Sequence, residues 1–125
     1  MTAWDSLLRR AHEELGAAQA LRERDFTAQA VSRAYFAAFY AAEAAVLSVG
    51  ETRSKHAGVI SAFLRLVVRD GGCDERAGRL LRDLFERRGQ ADYSTDPVPP
   101  PEADKAGLDA ETVVRLIEEW LVARA

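Results

Sequence analysis

The sequence predicts an all-α protein of about five helices, and three observations carry that reading. Alanine supplies much of the 48% hydrophobic content, and alanine is the best helix former and a poor strand former. Apolar residues recur at three- and four-residue steps through most of the chain, the period of a helix with one buried face. Gly50, Gly71-Gly72 and the proline run from Pro97 punctuate the chain into segments of helical length. At 125 residues the chain is long enough for one domain with a real core and short for two, so a single domain over 1–125 is expected.

The first helix runs from Trp4 to about Arg22, with Trp4, Leu8, Ala11, Leu15 and Ala18 on one side and Arg9, Arg10, Glu13 and Glu14 elsewhere. Asp25 or Thr27 can cap a second helix that reaches Val49, with Gly50 placed as a left-handed stop. Its apolar positions, Val31, Ala34, Tyr35, Phe39, Ala42 and Val46 among them, lie nearly all round the axis, as in a helix packed on several sides. Thr52 or Ser54 can cap the third helix, in which Val59/Ile60, Phe63/Leu64 and Val67/Val68 repeat every four residues until Gly71-Gly72. A fourth begins near Asp74 with Leu80, Leu81, Leu84 and Phe85 inward and Arg76, Arg79, Arg82, Arg87 and Arg88 elsewhere, a basic surface in an acidic chain. Pro97, Pro99, Pro100, Pro101 and Gly107 make Ser94–Leu108 read as an extended connector. Asp109 then caps a last helix with Val113, Ile117, Trp120 and Leu121 inward.

Composition prunes the function classes. A net charge of −3 gives no global attraction to nucleic acid, so such binding must come from a local basic patch. Cys73 has no partner for an internal disulfide, no signal-like segment precedes Asp5, and Ser32, Arg33 and Glu43 interrupt the apolar run of the second helix, so a cytoplasmic protein without a membrane span is expected. There is no phosphate-cradling glycine loop, no Cys pair and no metal-spaced His pair. Glu13/Glu14 and Glu118/Glu119 stand side by side rather than one turn apart, which gives a di-metal carboxylate site no counterpart.

The run Arg87-Arg88-Gly89-Gln90-Ala91-Asp92-Tyr93 closes the fourth helix. Arg88 there can clamp a phosphate with its planar fork, while Tyr93 offers a hydroxyl to a reacting centre. The plainer alternative is a solvated helix end, with Arg87 and Arg88 offsetting the C-terminal dipole and Tyr93 covering the core. His56, at the start of the third helix, has the side chain whose ordinary pKa suits acid-base work at neutral pH. Its alternative is a helix-start histidine bonded to a neighbour. Tyr35, Phe36, Phe39 and Tyr40 read as core rather than as a base-stacking platform, and His12 as a surface residue. Arg33 and Glu43 need polar partners or a route to solvent.

Three segments in this order, Ser32-Arg33-Ala34-Tyr35-Phe36-Ala37, Ser54-Lys55-His56-Ala57-Gly58-Val59 and Arg88 to Tyr93, resemble the HEPN superfamily in its small stand-alone bacterial and archaeal branch. The resemblance covers about Leu8 to Leu121. It implies an up-and-down helical bundle, usually homodimeric, with many members acting as toxins paired with a small nucleotidyltransferase antitoxin. It also implies metal-independent ribonuclease activity without a cofactor, from an Arg followed after four to six residues by a His, the motifs of two protomers meeting in a cleft at the dimer interface. Arg88 takes the Arg position and Tyr93 falls where such a member has its His. That is a departure, because a tyrosine with a pKa near ~10 serves as a base only if that value is strongly lowered.

The resemblance therefore implies two readings. In the first, Arg88 stabilises charge on a phosphorane, Tyr93 hydrogen-bonds the attacking or leaving oxygen, Asp92 orients one of the two, Arg87 adds to phosphate binding, and His56 shuttles a proton if the fold brings it to the cleft. In the second, the cleft recognises RNA, a nucleotide or a partner nucleotidyltransferase without cutting. In related pairs the partner enzyme transfers AMP to a tyrosine near the motif, which makes Tyr93 a candidate acceptor.

Overall fold

A computed structural model describes residues 2–125. Five helices follow one another: α1 (Asp5–Glu23), α2 (Thr27–Ser48), α3 (His56–Ala62), α4 (Glu75–Tyr93) and α5 (Pro100–Arg124), and α3 continues without a break into π-helical turns over Phe63–Arg69. No strand occurs among the described residues. The all-α expectation therefore holds.

Helix α2 is the axis of the bundle, packing against α1, α3, α4 and α5. Its sequence explains why. Ala34, Ala37, Ala38, Ala41, Ala42 and Ala45 are all fully buried, and side chains of one methyl let neighbouring helices approach closely on several sides at once. The bulk that fills the remaining space comes from Tyr35 of α2 itself and from Phe63, Leu81, Leu84 and Ile117 of the π-helical segment, α4 and α5. The core is thus small-to-large complementary, which is how dense packing without voids is reached.

The turns follow from local chemistry. After α2, Gly50 sits at φ 85°, its N–H donates to the Leu47 carbonyl at 2.9 Å, and the Glu51 N–H reaches the Val46 carbonyl at 3.3 Å. This paired closure needs a left-handed residue, which glycine supplies at least cost. The α1–α2 turn closes the same way on Asp25, at φ 64°, one of the few side chains that tolerates this region. Asp25 is therefore the end of α1 rather than the cap of α2, whose N-cap is Phe26 with no side-chain bond. Neither Thr52 nor Ser54 caps α3, which starts after an extended Lys55. Asp74 does cap α4, accepting from the Arg76 N–H at 2.8 Å.

The expected connector over Ser94–Leu108 is too long. Only residues 94–99 are non-helical, and α5 begins at Pro100 with prolines in its first two positions. A proline in the first turn gives up an N–H that has no helical partner there, so two prolines open a helix as readily as they end one. Asp109 lies well inside α5 and caps nothing. Its carboxylate instead receives Lys105 at 2.7 Å and Arg87 at 2.6 Å, tying α5 to α4. At the other end Trp120 donates its indole N–H to the Gly71 carbonyl at 2.8 Å. Among the described residues no helix is long and apolar enough to cross a membrane.

Candidate functional site

The site forms where the middle of α2, the start of α3 and the end of α4 converge. Tyr35 on α2 is fully buried, and its hydroxyl lies 3.1 Å from Nδ1 of His56. The His56 ring stacks on Phe39 with centroids 4.2 Å apart and meets the edge of Phe36 at 5.5 Å. On the other side Arg88 of α4 lays its guanidinium against the same aromatic cluster, 5.3 Å from the ring centroids of both Tyr35 and Phe36. Its Nε donates to Asp92 Oδ2 at 2.9 Å. Arg88 and Asp92 are four apart on one helix, the spacing that puts both on one face. The guanidinium is thus fixed by rings on one side and a carboxylate on the other.

Electrostatics follow from this packing. Burial pushes the Tyr35 phenol up to about 12, against the pull of the nearby Arg88 charge. Burial also lowers His56 below the ordinary histidine value, and the Arg88 cation lowers it further. Arg88 itself is raised, mainly by its hydrogen bond to Asp92. At neutral pH the site holds a fixed cation, a neutral imidazole and a protonated buried phenol.

His56, Arg88 and Asp92, all read as candidates from the sequence, are brought together. Tyr93 ends α4 with 85% of its surface exposed and shares with Arg88, Phe85 and Gln90 a shallow groove of about 530 Å³. It does not cover the core, contrary to the plainer reading of that helix end. Arg87 is not available for phosphate: its guanidinium is held by Asp83 at 2.9 Å and Asp109 at 2.6 Å. Successive helix positions point some 100° apart, so Arg87 faces α5 while Arg88 faces α2. Arg33 finds its partner in the buried Glu14, at 2.8 Å, and covers Phe36 from 4.6 Å. His12 is a surface residue bonded to Glu118 at 2.9 Å.

The hydroxyl of Tyr35 is the part of the site that the sequence reading does not find. Tyr35 belongs to the core, as expected, yet its hydroxyl is part of the site. The signal was present: a buried tyrosine, unlike a buried phenylalanine, has an O–H that must find a partner.

A helical bundle with an arginine braced against aromatic rings and a neighbouring histidine defines a class, and the family comparison names it: the chain belongs to the HEPN domain family, whose model matches residues 4–120. It is 37% identical over 116 residues to "Putative toxin MJ0605" of Methanocaldococcus jannaschii, covering 93% of this chain and 87% of that one. It is 39% identical over 85 residues to a UPF0332 protein of Thermotoga maritima, covering 68% of this chain and 64% of that one. A second Methanocaldococcus jannaschii protein, "Putative toxin MJ0142", is 28% identical over 89 residues, covering 71% and 60%.

Proposed function

We propose that this chain is the toxin half of a two-component system, a metal-independent endoribonuclease acting in the cytoplasm at a cleft between two copies and held in check by a nucleotidyltransferase antitoxin. The observation that carries the reading is the placement of Arg88 and His56 around one buried phenol, Tyr35. A preorganised cation beside a neutral imidazole is what cleavage of a phosphodiester by its own ribose requires.

In that reaction the 2′ oxygen attacks phosphorus while its proton passes to the imidazole of His56. Tyr35 orients the ring through Nδ1, and the tautomer that carries its proton on Nδ1 is the one whose Nε2 lone pair takes the proton. Arg88 receives the negative charge gathering on the phosphorane oxygens, and Asp92 keeps the guanidinium plane in place. The P–O5′ bond then breaks, and the leaving 5′ oxygen takes a proton from the Tyr93 hydroxyl, which recovers it from the imidazolium through water. The products are a 2′,3′-cyclic phosphate and a free 5′-hydroxyl. A half-buried stripe of Phe36, Tyr40 and Leu47 along α2, adjoining Arg88 through Phe36, supports burial of this face by a second copy.

Cleavage of single-stranded RNA in the presence of a chelator tests the proposal. Arg88→Ala should lower the rate by about 100-fold or more, as loss of one preorganised donor does. Cleavage that survives this substitution intact overturns the mechanism.

The exposure of Tyr93 favours a second reading, in which the protein binds without cutting and Tyr93 accepts AMP. The phenolic oxygen would attack the α-phosphorus of ATP on the partner enzyme, release pyrophosphate and lose its proton to solvent. Mass spectrometry after incubation with a cognate nucleotidyltransferase and ATP should show one adenylyl group in the wild type and none in Tyr93→Phe. An unmodified wild type rejects it.

A further inference from the structure

We propose that the groove between the π-helical segment and α4 is a track for single-stranded nucleic acid that leads into the Arg88 site, an inference that rests on the RNA-directed reading above. The groove has a volume of about 650 Å³, with Ile60, Leu64 and Phe85 along its floor and Arg65, Arg69 and Arg82 around it. Glu86 is the one acid among its lining residues, and with Arg69 paired to Asp70 at 2.9 Å the guanidiniums of Arg65 and Arg82 face that one carboxylate. In a chain of net charge −3 this is a local reversal of sign.

Two features point to a polynucleotide. Arg65 and Arg82 are exposed and take part in none of the ion pairs that engage Arg69, Arg76, Arg87 and Arg88. What distinguishes these two is that they line one groove from opposite walls, beside an exposed aromatic ring. Phe85 is 38% exposed although its ring packs 5.7 Å from Tyr35, presenting apolar aromatic surface at the junction of this groove with the one that holds Arg88 and Tyr93. Alternating cations and an aromatic surface is how single strands are held without sequence preference, phosphates on the cations and bases on the ring. An acidic peptide would use the cations and gain little from the ring.

The local packing shapes the track. At Gly78 an added Cβ would come within 2.7 Å of Leu64 Cδ2, so α4 lies tight on the π-helical segment there, at one end of the groove. From Arg82 to Arg88 the rise along α4 is about 9 Å, a short step for a strand whose scissile phosphate lies on Arg88. The π-helical turns place Arg65 and Arg69 along the opposite wall.

Fluorescence anisotropy with a labelled 2′-O-methyl decanucleotide, which lacks the attacking hydroxyl, tests this across a salt series with the full chain. Arg65→Ala/Arg82→Ala, at two exposed positions, should weaken binding about tenfold or more and make the log–log salt slope shallower by about 1.4, the value for two lost phosphate contacts on a single strand. Phe85→Leu should weaken it at least about fivefold with the slope unchanged. Unchanged affinity and slope in the double variant, with Arg88→Ala still weakened, overturns the track and leaves the Arg88 reading standing. Absence of binding by the wild type, or full binding by Arg88→Ala, overturns the parent reading and the track with it. Displacement of the decanucleotide by polyglutamate at equal charge concentration assigns the groove to an acidic protein and also overturns the proposal.

Discussion

Replacing Arg88 tests the site one residue at a time, because its charge and its geometry can be separated. Arg88→Lys keeps the cation but loses the planar fork that lies on the rings and reaches Asp92, so cleavage should fall nearly as far as in Arg88→Ala. A rate close to wild type would mean that charge alone matters. His56 makes a second prediction. Its pKa is lowered by burial and by Arg88, and a general base acts in its neutral form, so the acidic limb of the rate profile should lie below the ordinary histidine value near ~6.5, with a plateau by neutral pH. His56→Gln should abolish that limb. The same shift affects stability: the folded state prefers the neutral ring, so this contribution is complete above the unfolded pKa and is lost as pH falls through the lower folded value. Tyr35→Phe leaves the packing intact and removes the oxygen 3.1 Å from Nδ1, which should cost about 1 kcal/mol and also move the His56 limb. A Tyr35 role confined to packing would leave that limb unmoved. His56, Arg88 and Asp92 were legible as candidates because their side-chain types advertise chemistry. The Tyr35 hydroxyl was not, since a tyrosine in an apolar helix reads as filler until its neighbour is seen.

At the scale of elements, helix starts and stops follow local rules where a single residue decides them, as Gly50 and Asp74 do. They miss where two readings of one residue type compete. By sequence Pro100 and Pro101 read as connector, yet prolines break a helix interior and fit its first turn equally well; what selects the helix is the burial of Ala103, Ala106 and Ala110 against the bundle. Pro100→Ala should therefore leave α5 helical, with amide exchange over 102–108 still protected. Protection lost in that stretch would return it to the connector. The close approach of helices to α2 predicts intolerance of volume: Ala41→Leu, at a fully buried position, should cost about 1–3 kcal/mol through overpacking, read as a lower denaturation midpoint. The four-residue repeat of Val59/Ile60, Phe63/Leu64 and Val67/Val68 foretold a helix with one buried side, but not that its second half winds as a π-helix, since residues four and five apart share a face in the wider turn.

Across the whole molecule, the ion-pair cluster of Arg87, Asp83, Asp109 and Lys105 joins α4 to α5 and so holds the end of the helix that carries Arg88. Asp109→Ala would leave the largely buried Arg87 guanidinium with one carboxylate fewer, a loss of about 1–3 kcal/mol measurable by thermal unfolding. A variant as stable as the wild type would show the cluster to be solvated in solution. The amino-acid sequence by itself determined the all-α class, the number of helices and the family, because helical period, alanine content and motif order are properties of the chain read in one dimension. Only the tertiary structure decided which cations are spent and which are left: Arg87 and Arg88 are neighbours of the same type, and about 100° of helical rotation turns one into an internal brace and the other toward the rings and the groove. Charge says what a residue can do, while the direction it faces, fixed by packing, decides whether it can do it.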